Sequence, residues 1–131
     1  MKTTLIAAAA VLLSACAGHG RGPSVEATLA PTQNHTTTGT VVFRQKGNDV
    51  EVTAHVAGLT PGAHGFHIHE KGDCSAPDGT SAGGHFNPTS KPHGNPERGE
   101  HHLGDMVQLV ADDKGNARQV SYIEGPTLGD G

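Results

Sequence analysis

The chain has 131 residues, with 19 Gly and 8 Pro against 3 Phe, 1 Tyr and no Trp. That length holds one domain, and a chain that turns so often and carries so few large rings favours short strands joined by loops over a helical bundle. A formal charge of −4 argues against nucleic acid as the main partner, whereas 10 His, most of them between His64 and His102, direct attention to metal.

Met1-Lys2 gives a short positive start, and Leu5 to Leu13 is an unbroken apolar run too short to span a bilayer as a stable anchor. The run ends in Leu13-Ser14-Ala15-Cys16, which is similar to a bacterial lipobox. On this reading residues 1–15 are a signal peptide, and Cys16 is lipidated and becomes the first mature residue. Residues 16–24 are then a Gly-rich flexible tether. An ordinary signal peptide with an incidental Cys is the alternative. Ala17 rather than Asp follows the Cys, which by analogy with enterobacterial sorting points toward the outer membrane. The expected location is the bacterial cell envelope, in the periplasm, with lipid chains at Cys16 as the membrane anchor. Cys74 is the second Cys, and lipidation of Cys16 leaves it without a partner in this chain.

The folded domain is expected over residues 25–131. Val25, Ala27 and Leu29 alternate with polar neighbours, and Thr38 to Gln45 is β-branched and Val-rich. Val50, Val52, Ala54 and Val56 alternate with Asp49, Glu51, Thr53 and His55, the pattern of a half-buried strand. Lys46-Gly47-Asn48 predicts a hairpin turn. Gly65 to His69 reads as a fourth strand. Glu70 to Glu100 carries no periodicity, and a loop of that length in a compact domain signals function or disorder. Regular structure resumes over Asp105 to Ala111, turns at Asp112 to Asn116 and returns over Ala117 to Ile123. The prediction is an all-β sandwich or Greek-key barrel with about six antiparallel strands and one very long loop.

The chemistry concentrates in that loop and at its two ends. On a strand, His67 and His69 point to one face and can meet one ion. Alone, such a pair is a weak signal. His85, His93, His101, His102 and Asp105 follow. His93, His102 and Asp105 with one further His make a tetrahedral N3O set suited to zinc. His67 and His69 with further imidazoles make a nitrogen set suited to Cu(II). His85 lies between the two groups in sequence, and its two ring nitrogens allow it to serve both ions.

The run GFHIHEKGDCSAPDGTSAGGHFNP, followed by KPHG and HHLGDM, resembles the metal-site core of copper–zinc superoxide dismutases. The resemblance implies an eight-stranded Greek-key barrel, of which about six strands are present here. It implies that His67, His69 and His85 bind copper, and that His85, His93, His102 and Asp105 bind zinc. His85 would bridge the two ions and serve the proton step. The family's H-x-G-D spacing selects His102 over His101. Cys74 would be the first half of an intramolecular disulfide, and His64 a packing residue beside the ligands. His19, His35 and His55 are expected at the surface.

The implied activity is conversion of superoxide to dioxygen and hydrogen peroxide, and the resemblance leaves room for a homodimer. Measured against the family, about two strands are expected to be absent at the C-terminal end. With them would go a fourth copper His, the second disulfide Cys, a carboxylate linking the two metal shells and an anion-guiding Arg. A non-catalytic copper- and zinc-binding lipoprotein is therefore the alternative function.

Overall fold

The computed structural model describes residues 22–129. The expected signal peptide, Cys16 and most of the expected tether lie outside them. Strands β1 (Ser24–Leu29), β2 (Thr38–Lys46) and β3 (Asp49–Ala57) form an antiparallel meander. Strand β4 (Gly62–His64) pairs with β5 (Leu109–Ala111), and β6 (Ala117–Glu124) returns to pair with β3. The result is a four-stranded sheet in the order β1-β2-β3-β6 and a two-stranded sheet β4-β5. All pairings are antiparallel, and the described residues contain no α-helix beyond a single 3-10 turn at Thr80–Ala82.

Alternation explains the large sheet. Val50, Val52, Ala54 and Val56 are buried on one face of β3, while Glu51, Thr53 and His55 take the other. Across the ladder Val41 faces Ala54, Phe43 faces Val52 and Ile123 faces Val50, so the apolar residues of β2, β3 and β6 share one side. A one-residue slip would turn that set out to water, which fixes the register. Met106, Leu109, Ala111 and Ala117 complete the buried core. The β2–β3 hairpin closes with Lys46 opposite Asp49, and Gly47 takes the left-handed conformation that its turn position needs (φ 62°). The turn at Asp112 is held by its carboxylate, which accepts from the Lys114 and Asn116 N–H groups at 2.9 Å each.

The predicted fourth strand is corrected. The ladder takes Gly62–His64 instead of Gly65–His69, and beyond it His67 and His69 make only isolated bridges, to Asp105 and His85 respectively. The physical reason is a change of partner within three residues. Ile68 donates its N–H to the Gly104 carbonyl and accepts from the Phe86 N–H, so neither neighbour runs beside the segment long enough to build a strand. For the same reason the expected strand from Asp105 shrinks to Leu109–Ala111.

The long loop is ordered by its own polar groups. Lys71 and Glu70 donate to the carbonyls of Ala82 and Gly84, which folds the first half into a narrow excursion. Ser81 Oγ donates to the Asp73 carbonyl and accepts from the Ala76 N–H, and Gln33 N–H reaches the Pro77 carbonyl. In the second half the Asn87 side chain brackets Lys91, and Lys91 pairs with Glu100. The loop therefore returns its far end, His101 to Asp105, to the edge of the core.

Candidate metal centre

Asp105 is the only buried charged residue among those described, with its side chain 1% exposed. A carboxylate removed from water needs partners for both oxygens. One oxygen, Oδ2, accepts from the backbone N–H groups of Gly94 (3.1 Å) and His102 (3.0 Å). The other, Oδ1, lies 2.7 Å from His85 Nδ1 and 3.4 Å from His102 Nδ1, and His93 Nδ1 sits between the two oxygens, 3.1 Å from Oδ1 and 3.0 Å from Oδ2. Burial acts to raise the Asp105 pKa, but the hydrogen bonds from Gly94, His85, His102 and His93 outweigh it and hold the carboxyl well below the usual carboxylate range. The group is therefore a fixed negative charge.

Three elements supply these side chains. The chain after β4 brings His67 and His69, the return of the loop's first half brings His85, and its second half brings His93, His102 and Asp105. His67 stacks on His85, with ring centroids 4.0 Å apart and planes 19° apart. His69 meets His85 edge-on at 5.3 Å and turns its Nδ1 to the Gly83 carbonyl at 2.9 Å, leaving Nε2 free. The Nδ1 of His85 faces Asp105, so its Nε2 is free for a second partner. His93 and His102 sit beside His85 at centroid distances of 5.3 and 5.5 Å.

His67, read from the sequence with the copper set, is placed by the structure with the residues read as the zinc set. Besides stacking on His85, it offers a nitrogen that lies with those of His85 and His93 and an oxygen of Asp105 in a group no wider than 4.8 Å. Burial, followed by the charge of His85, lowers the His67 pKa, which keeps the ring neutral as a metal ligand must be. The other sequence candidates stand apart from this group. His101 turns its Nδ1 to the Gly99 carbonyl at 2.7 Å. His64 bonds the Thr60 carbonyl at 2.7 Å. Cys74 is an exposed free thiol on the loop's first half, and Cys16 lies outside the described residues. Sequence reasoning missed the Gly94 N–H and the Gly83 carbonyl, because backbone groups carry no signature in the side-chain alphabet.

A family model described as copper/zinc superoxide dismutase matches residues 37–130. The chain belongs to the copper/zinc superoxide dismutase family. It is 45% identical over 80 residues to an extracellular superoxide dismutase [Cu-Zn] of Brugia pahangi, covering 60% of this chain and 39% of that protein. It is likewise 45% identical over 80 residues to superoxide dismutase [Cu-Zn] 2 of Brassica juncea, covering 60% of this chain and 52% of that one. The chain thus spans about two-fifths to one-half of the length of these relatives. Among solved structures it is similar to the clock protein EA4, with a TM-score of 0.73 and 34% identity over 86% of this chain and 70% of that one.

Copper and zinc are the family's metals, and the donor set fits them. Zinc at bonds of about 2.0–2.1 Å in a tetrahedron holds its ligand atoms about 3.4 Å from one another. The Nδ1 atoms of His85 and His102 are 3.4 Å apart, and each lies within 3.4 Å of Asp105 Oδ1. The ligand atoms that come within 4.8 Å of one another are those of His67, His85, His93 and Asp105, and His102 stands beside them through the Nδ1 of His85. His69, edge-on to His85 with ring centroids 5.3 Å apart, adds a further imidazole, and imidazole nitrogens suit copper.

Both resolved shifts at the site have the same sign. The folded metal-free chain holds fewer protons at His67 and Asp105 than the unfolded chain, so their contribution to stability is full above the ordinary His value. It falls as the pH drops below 6.5 and again below 3.8. Urea unfolding of the metal-free chain from about pH 8 to about pH 3 should show a falling midpoint. Asp105→Asn should make the acid part of that fall shallower and lower the neutral plateau by about 1–3 kcal/mol. A midpoint that stays flat across the range would contradict the assignment.

Proposed function

We propose that this protein is a superoxide dismutase of the bacterial envelope, acting at a copper–zinc centre in which His67, His69 and His85 hold copper and His85, His93, His102 and Asp105 hold zinc. The observation that carries the reading is the orientation of His85. Its Nδ1 is committed to Asp105 at 2.7 Å, which leaves Nε2 for a second partner, while His67 stacks on the ring face and His69 meets the ring edge-on. One ring can then join two sites with different donor chemistry.

When bound, copper supplies one-electron exchange with superoxide, and zinc supplies a fixed positive charge with no redox chemistry of its own. The reaction turns two superoxide anions and two protons into dioxygen and hydrogen peroxide. The chain's own part is to hold the geometry and to handle a proton. Asp105, ionised and hydrogen-bonded on both oxygens, fixes the His85 ring from one edge. His67, stacked on its face, restricts its rotation. The remaining His85 Nε2 is the atom at which a proton can be held and released next to the substrate.

His85→Gln should lower superoxide consumption by at least about 100-fold in the copper- and zinc-loaded chain, the scale of losing a positioned proton donor. Stopped-flow decay of superoxide measures it, against the same concentration of free copper. Wild-type turnover no faster than free copper, with both metals bound, would remove the enzymatic reading and favour a protein that only holds the metals.

The envelope location and lipid anchor are supported by the order of the first residues: Lys2, the apolar run Leu5 to Leu13, then Ser14-Ala15-Cys16. In a diderm bacterial host, wild type should incorporate labelled palmitate and fractionate with membranes. Cys16→Ser should lose both properties. Label retained by that variant would contradict the anchor.

A further inference from the structure

The proposed chemistry uses side chains of His67, His69, His85, His102 and Asp105 and leaves unused the backbone that runs between them. That backbone is closed into a ring. Ile68 N–H donates to the Gly104 carbonyl, Gly104 N–H donates to the Phe86 carbonyl, and Phe86 N–H donates to the Ile68 carbonyl, each at 2.8 Å. Every member adjoins a proposed ligand in sequence. Ile68 lies between His67 and His69, Phe86 follows His85, and Gly104 precedes Asp105. The isolated bridges His67–Asp105 and His69–His85 flank the ring on its two sides. The Ile68 side chain packs against the buried core, which ties the ring to the sheet.

Gly104 has no room for a side chain. A Cβ there would sit 2.4 Å from the Ile68 carbonyl oxygen, 2.9 Å from the Phe86 nitrogen and 3.1 Å from the Phe86 Cβ. Two of these are backbone atoms of the ring itself, so no flexible side chain can yield. Gly104 is not among the glycines with positive φ, so the obstacle to a side chain there is space and not a left-handed backbone. The residue is also buried.

We infer that this three-peptide ring is the positioning device of the metal centre and that Gly104 is the residue that permits it. The inference rests on reading the flanking residues as the metal ligands. Three segments from distant parts of the chain reach a fixed spacing through backbone bonds that need no metal. These bonds set the spacing of the paired-His segment, the bridging His85 and the Asp105 arm. A shift of any one segment is passed to both halves of the centre. Supporting groups of this kind typically change metal affinity by about 10–100-fold when disturbed.

The test pairs Gly104→Ala with Gly39→Ala in the full chain. A Cβ at Gly39 would meet the His55 carbonyl oxygen at 2.4 Å, a similar clash within the large sheet and next to no proposed ligand. Co(II), a spectroscopic stand-in for zinc, is titrated into each metal-free protein. Gly104→Ala should lose about 10-fold or more in Co(II) affinity with altered d–d bands. Gly39→Ala should melt earlier but keep wild-type bands and affinity. Equal Co(II) binding by Gly104→Ala and wild type, or equal losses in both variants, would overturn the proposal.

Should Gly104→Ala not fold, amide hydrogen exchange of the metal-free wild type decides. Protection of the Ile68, Phe86 and Gly104 amides as a set supports the ring, and exchange at the rate of the Glu70–Glu100 loop overturns it. Neither readout uses superoxide. A wild type that binds Co(II) with its ring amides protected but consumes no superoxide would sink the activity and leave this inference standing.

Discussion

The Asp105 carboxylate, shut away from water, has to find partners for both oxygens, and the way it does so arranges everything around it. Its Oδ2 takes two backbone N–H groups from the returning loop, which pins Gly94 and His102. Its Oδ1 faces the Nδ1 atoms of His85 and His102, and the Nδ1 of His93 lies against both oxygens. One charge therefore gathers imidazoles from positions up to 20 residues away and presents their nitrogens toward a common point. A buried carboxylate kept ionised by these hydrogen bonds is well suited to receiving a cation.

The sheet contributes by being rigid and by ending at the right place. Its core of Val, Ala and Ile side chains is fixed in register by alternation, and β5 and β6 carry the chain away from the site only after Asp105 has been delivered. The long loop has little core of its own. It is held by side-chain-to-backbone bonds at Asp73, Ser81 and Asn87, by the His69–His85 bridge at its middle and by the His67–Asp105 bridge across its ends. Holding the loop and building the metal centre are thus one structural task.

Much of this was legible in the sequence, and the exceptions have a common physical cause. The alternation in β3, the turns at Gly47 and Asp112 and the cluster of His67, His85, His93 and Asp105 are written in side chains with period, turn chemistry or spacing. The strand expected over Gly65–His69 failed because its apolar–polar alternation describes side-chain direction, whereas its backbone divides its hydrogen bonds between Gly104 and Phe86. The Gly83 carbonyl on His69 and the Gly94 N–H on Asp105 were invisible for the same reason. Choosing His102 over its neighbour His101 took the family's spacing, and in the folded chain His101 is turned aside to the Gly99 carbonyl. Cys16 and the leader are read from the sequence alone, because they lie outside the described residues.

Histidine-selective nitrogen NMR of the zinc-loaded chain examines the gathering of imidazoles around Asp105 most directly, because it reports which ring nitrogen meets the ion. The account predicts that His85, His93 and His102 bind zinc through Nδ1, with the Nε2 of His93 and His102 carrying the proton. Zinc held through Nε2 at His93 and His102, or no change at these three rings on zinc addition, would contradict it.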